Sequence, residues 1–250
     1  MKCLTMSLIT IFLVSMLATG VNAATESSTK AITIELPKDG LLSVINPKTK
    51  QTEAAKKALA IYYEKAIPLA ASLGYQNHGA LRVTETVVGN DQPGVFILAS
   101  WPNEAADFAF ESLPEWREYK VLRPQIWNRL NFYKASASED KTLQFSQNKH
   151  YSVAFAWLDE GQPDDYQNYM NGIQQAVSEA GGRFIHNMTE PRFISQSPSS
   201  IGPNEITFVE WDSLSGLTDF QNSQGFKQYA SLLSSGTTRF ELYRITPVIN

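Results

Sequence analysis

Apolar residues follow one pattern between positions 41 and 135, and that pattern starts again near position 151. Residues 41–45 are a short apolar run closed by Asn46-Pro47, which predicts a strand. From about 52 to 73 the residues Ala55, Leu59, Tyr62, Ala66, Leu69 and Leu73 fall at helical spacing. Thr52 suits the N-cap of that helix and Gly74 its C-terminal stop. Pro68 sits inside the pattern, where the missing N–H predicts a kink. A second strand is expected over 75–88, broken near Gly79, with Gly89-Asn90-Asp91 as its turn. Residues 95–101 form the most hydrophobic strand, closed by Pro102. Asn103 caps a helix through Glu111, another helical piece follows Pro114, and 130–135 is the last strand.

The second stretch repeats this order. A strand over 151–158 leads to a helix opened by Asp164 or Asp165 and stopped by Gly181-Gly182. Strand two covers 183–195, a loop rich in Ser, Pro and Gly covers 196–204, and strand three covers 205–211. Residues 213–222 and 225–233 read as helical, and 239–248 as strand four. Shifting the chain by 110 residues aligns 96–135 with 206–245 without a gap. Trp101/Trp211, Phe110/Phe220, Tyr119/Tyr229, Leu122/Leu232, Arg129/Arg239 and Tyr133/Tyr243 become identical pairs. Upstream, Asn77/Asn187 and Arg82/Arg192 also match.

A β-α-β-β-α-β unit places both helices on one face of a four-stranded antiparallel sheet and leaves the other face bare. Two bare, partly apolar faces in one chain can cover each other. The expected fold is therefore α+β: two ferredoxin-like β-α-β-β-α-β repeats packed sheet to sheet as an intramolecular barrel. The expected boundaries are a signal peptide at 1–23, a polar tail at 24–38, a first repeat at 39–136, a linker at 137–149 and a second repeat at 150–250. The expected assembly is a monomer with an internal pseudo-twofold axis.

Lys2, the apolar run from Leu8 to Ala18 and the Val21-Asn22-Ala23 ending give residues 1–23 the pattern of an export signal. The run is shorter than the roughly 20 residues that span a bilayer. No other segment is apolar enough to cross, so the product is expected in the periplasm or outside the cell. The only cysteine, Cys3, leaves with the signal, which removes thiol chemistry and disulfides from the mature chain. The net charge of −4, or −5 without Lys2, and the absence of a basic run exclude a nucleic-acid partner. A hydrophobic fraction of 43% excludes a disordered chain.

The run from Tyr63 through Pro68 to Gly74 and the run from Trp101 through Phe110, Ser112 and Trp116 to Leu122-Arg123 resemble a bacterial group of unknown function in the dimeric α+β barrel superfamily. The second stretch keeps Tyr166, Gly181-Gly182-Arg183-Phe184, Trp211, Phe220 and Tyr229 of that pattern. It lacks the helix proline and the arginine after Leu232. The resemblance implies a barrel of two ferredoxin-like halves, with a ligand cavity between sheet and helices or inside the barrel. The superfamily includes cofactor-independent monooxygenases, haem-degrading enzymes, isomerases and non-enzymatic members.

Candidate chemistry is sparse. His78, His186 and Glu210 are the candidate acid/base groups, because an imidazole or a carboxylate in an apolar strand can titrate near neutrality. Trp101 and Trp211 occupy the same strand end in both stretches, where they can wall a pocket for a flat ligand. Arg82 and Arg192 can orient a carboxylate. There is no metal-ligand spacing, no phosphate loop and no serine-nucleophile motif, so no metal and no cofactor is expected. The leading expectation is a binder of a small apolar or aromatic molecule. A cofactor-independent monooxygenase or isomerase and an envelope protein-interaction module are the alternatives.

Overall fold

The computed structural model describes residues 30–249; the expected signal peptide lies outside them. The elements are β1 (Ala31–Leu36), β2 (Leu41–Thr49), α1 (Glu53–Ala71), β3 (Gln76–Val88), β4 (Val95–Trp101), α2 (Glu104–Ser112), α3 (Pro114–Lys120), α4 (Arg123–Ile126) and β5 (Trp127–Ser136). They continue with β6 (Lys141–Ser146), β7 (His150–Leu158), α5 (Asp165–Glu179), β8 (Gly182–Thr189), β9 (Arg192–Ser195), β10 (Glu205–Trp211), α6 (Gly216–Asn222), α7 (Gln224–Gly236) and β11 (Thr237–Val248).

The long helix α1 begins where its cap residue predicts: the Thr52 hydroxyl accepts from the Ala55 N–H at 3.2 Å. Its buried face is Ala55, Ala58, Tyr62, Ala66 and Ala70, small residues that let the helix lie close to the sheet around one large aromatic. Pro68 is inside the helix, three residues from its end. The chain then reverses at Gly74, whose φ of +88° only glycine adopts without strain.

One nine-stranded antiparallel sheet has the order β8-β10-β7-β11-β3-β4-β2-β5-β9. Its two edges, β8 and β9, are consecutive pieces of one segment, so the sheet closes on itself. Strand two of the later stretch was expected to be continuous. It breaks instead at Glu190-Pro191, where Glu190 has a φ of +46° and Pro191 has no N–H to offer a ladder. The expected break near Gly79 is a bulge, with a register shift between Asn77 and Gly79, and β3 runs on through it. This length lets β3 pair with β4 at one end and with β11 at the other.

Residues 24–38 and 137–149, expected as polar tail and linker, each contribute a strand. Strands β1 and β6 pair antiparallel from Ala31/Ser146 to Leu36/Lys141 and bury Ile32, Ile34, Leu36, Leu143 and Phe145. These side chains join a central core with Phe96 of β4, Phe155 of β7 and Tyr243 of β11. The rings of Phe96 and Phe155 stack at 5.3 Å between centroids. Two further apolar layers lie on the helix side of the sheet, one under α1–α4 and one under α5–α7.

Candidate functional site

The sheet interior is filled by side chains, and two cavities lie between the sheet and its helices. The later one, of about 250 Å³, is lined by Trp211, Phe220, Tyr169, Ile173, Phe184 and Phe240 among others. Its few polar atoms are hydroxyls and one amide: Ser152, Thr207, Tyr166, Tyr169, Gln221, Ser234 and Thr237. Trp211 is fixed there by its indole N–H, which donates to the Ser152 hydroxyl at 2.9 Å. Burial raises the pKa of Tyr166 and of Tyr169, so both phenols stay protonated and available as donors.

The earlier cavity, of about 90 Å³, is smaller and chemically different. Trp101 lines it, packed at 5.1 Å from Tyr75 and 5.2 Å from Phe110. Around this aromatic wall stand Asp107, Glu111, Arg123 and Lys134. Asp107, on α2, is fully buried; its Oδ1 accepts from Lys134 Nζ at 2.5 Å and its Oδ2 from Arg192. Desolvation lowers the Lys134 pKa, opposed by the Asp107 charge beside it. Arg123, 8% exposed, donates from Nε to the Tyr62 hydroxyl at 3.2 Å. Its guanidinium lies 4.6 Å from the Trp116 ring centre and 4.9 Å from that of Phe132. Burial pushes the Glu111 pKa up, but the bonds it accepts from Lys120 and Trp116, with the Arg123 and Lys120 charges, outweigh that and hold it below the usual value.

The sequence-predicted residues are thus dispersed. Trp101 and Trp211 wall one cavity each. Arg82 is exposed, whereas Arg192 pairs with Asp107 and covers the Phe108 ring at 4.6 Å. The two arginines are also not equivalent in register: Lys134 pairs with Arg192, but Arg244, its counterpart 110 residues on, pairs with Glu85. The bulges in β3 and β8 change the spacing, so the 110-residue shift does not hold in strand two. His78 Nε2 lies 2.8 Å from the Ser100 hydroxyl, and burial lowers its pKa. His186 lies in an open recess with Lys141, Asn187 and Glu205; burial, then the Lys141 charge, lowers its pKa to about 4. Glu210 is ion-paired to Arg183 at 2.9 Å and accepts from the Tyr151 hydroxyl at 3.1 Å. These three lie outside the linings of both helix-side cavities. Asp107, Lys134, Tyr62 and Ser43 were missed from sequence, and Arg123 was noted only as a motif residue. A charged residue type at an apolar period carries no signal that it is buried.

No family model matches the chain, and no curated protein matches it in sequence. Among solved structures, an anthrone oxidase-like protein is similar with a TM-score of 0.53 and 11% identity, over 86% of this chain and 94% of its own. A candidate monooxygenase from Lactobacillus acidophilus gives a TM-score of 0.39 at 10% identity, over 85% and 100%. A chlorite dismutase from Candidatus Nitrospira defluvii gives 0.43 at 9%, over 84% and 92%. These neighbours are dimeric α+β barrel proteins. At such identities the likeness concerns the fold alone. Among the described residues no helix is long and apolar enough to cross a membrane.

Proposed function

We propose that the chain is an exported, internally duplicated α+β barrel, periplasmic or secreted, that binds a small apolar or aromatic molecule between its second sheet half and helices α5–α7. The 250 Å³ cavity carries this reading. A dry cavity of about 150 Å³ takes up benzene, so this one has room for a molecule of one to two rings. Trp211 and Phe220, with ring centres 5.9 Å apart, form an aromatic wall, and the hydroxyls of Ser152, Thr207, Tyr166 and Tyr169 supply orientation.

A cofactor-independent monooxygenase or isomerase would need an acid/base group against the ligand. His78, His186 and Glu210 lie outside the lining, so binding without chemistry is the stronger reading. Thermal-shift and native mass-spectrometry titrations of the mature chain with naphthalene, indole, simple quinones and fatty acids test it. A ligand at a hundred times its Kd stabilises by about 2.7 kcal/mol, a rise of several degrees in Tm. Ile173→Trp, which fills the cavity, is expected to abolish that rise. Absence of any shift across the set, or shifts untouched by Ile173→Trp, would overturn the reading.

A further inference from the structure

We infer that the smaller cavity under α1–α4 is a second, separate binding site, built for the carboxylate of a short-chain acid, with Arg123, Tyr62 and Ser43 as its donors.

Three observations converge there. Arg123 is a buried cation without a carboxylate partner among the ion pairs of the described residues; its one hydrogen-bond partner is the neutral Tyr62 hydroxyl, while aromatic rings cover its faces. A guanidinium so placed is largely withdrawn from water, and the nearest carboxylate, Glu111, acts on it through space without a hydrogen bond to it. Next, Tyr62 accepts from Arg123, which leaves its own hydroxyl hydrogen to donate. Burial raises its pKa despite the arginine, so that hydrogen is retained. Finally, the Ser43 hydroxyl lines the same cavity, is 1% exposed and has no hydrogen-bond partner. Buried hydroxyls in native folds are ordinarily satisfied, and an orphan facing a cavity points to an occupant.

The second half shows what Ser43 lacks. Ser43 pairs with Lys134 in the sheet as Ser152 pairs with Arg244, so the two serines hold corresponding places. Ser152 accepts the Trp211 indole N–H, whereas Ser43 receives nothing from the corresponding Trp101. Of the carboxylates already present, Asp107 is held by Lys134 and Arg192, and Glu111 Oε2 by Trp116 and Lys120, so neither hydrogen-bonds to Arg123. What remains open around Arg123 is a set of donors, the guanidinium with the Tyr62 and Ser43 hydroxyls, which favours an anionic acceptor over an amine. A volume of about 90 Å³ fits a chain of three or four carbons better than a ring, with Trp101, Phe110 and Ile97 around its tail.

The inference does not rest on the aromatic-ligand reading, because the two sites share no lining residue. Its test is calorimetric or NMR titration of the mature chain with sodium butyrate at constant ionic strength, against butyramide and butylamine. Expected is saturable butyrate binding, with the amide and the amine at least tenfold weaker. Arg123→Lys should weaken butyrate at least tenfold and Ser43→Ala about threefold or more, the latter without loss of folding. Butyrate binding no tighter than butyramide overturns the site, as does binding unaffected by Ser43→Ala. If Arg123→Lys does not fold, the Ser43→Ala and amide comparisons decide alone.

Discussion

Lys134 Nζ lies 2.5 Å from Asp107 Oδ1, and both side chains are buried. Arg192, from the other half of the chain, takes the second carboxylate oxygen. One buried carboxylate therefore ties α2, β5 and β9 together.

Asp107→Asn leaves a buried ammonium without its ion-pair partner and is expected to cost about 3–5 kcal/mol, whereas the double change Asp107→Leu with Lys134→Met should be far milder. Arg192 can turn outward in that double variant, since its side chain is already 30% exposed. Urea-unfolding midpoints compare the two. A single variant no worse than the double would show that the cluster does not hold the halves together.

The imidazole of His186 is kept neutral in the fold, with its pKa lowered to about 4, and its Nδ1 is buried without a partner. The unfolded chain takes up that proton first, near pH 6.5. Stability is thus expected to fall as the pH drops from about 6.5 towards 4 and to level off below. Partial exposure of the ring holds the loss to about 2–3 kcal/mol. His186→Phe should flatten that stretch of the pH profile, measured by urea unfolding; an unchanged slope would assign the titration elsewhere.

At Gly74 two constraints coincide. Its φ is +88°, and a Cβ there would stand 2.4 Å from Pro102 Cγ. Gly74→Ala is expected to destabilise by about 1–3 kcal/mol from the backbone alone, with the clash in addition. Gly94 has nothing within 4 Å of such a Cβ, so Gly94→Ala should be neutral or stabilise by up to about 1 kcal/mol. Denaturation of both variants side by side separates a conformational requirement from a general intolerance of change.

What the sequence made legible was local. Thr52 and Asn103 cap the helices they were assigned to, and the Gly74 stop is where it was read. The two strands outside that reading, β1 and β6, do alternate: Ile32, Ile34 and Leu36 point inward, as do Leu143 and Phe145. The period was present, but each run is short and its partner lies more than a hundred residues away, so polar composition masked it. Strand two misled the residue matching for a similar reason. A bulge of one residue changes every later side chain's face, and no residue type announces it. Trp101 and Trp211, which line one cavity each, could be singled out because aromatics at matching strand ends are visible in sequence. Arg123 and Asp107 were not, because their burial follows from three-dimensional packing against Trp116, Phe132 and Lys134.

That strand pair offers its own test. Ile34 is fully buried in the central core, and Ile34→Ala is expected to cost about 2–5 kcal/mol. Thr33, on the exposed side of β1, should tolerate alanine. Equal tolerance at the two positions would return residues 31–36 to the status of a tail.

The duplication reading stands or falls on whether either half can exist alone. Strand β3 pairs with β11, and β5 with β9, so each half supplies the edge that the other needs. The central core draws Leu42, Val44, Phe96 and Leu98 from the first half and Val153, Phe155, Phe208 and Ile245 from the second. Separating them would open two ladders, strip Asp107 of Arg192 and expose an apolar sheet face, at about 25 cal/mol per Å² of apolar surface. Residues 30–136 expressed alone are therefore expected to aggregate or to pair with a second copy of themselves. Residues 137–249 supplied in trans should restore a one-to-one complex. Sedimentation velocity on each fragment, on the mixture and on the mature chain reads the outcome, with the mature chain expected as a monomer. A first half that sediments as a folded monomer would show that its inner sheet face does not require the second, and the barrel would then be an association of two independent domains.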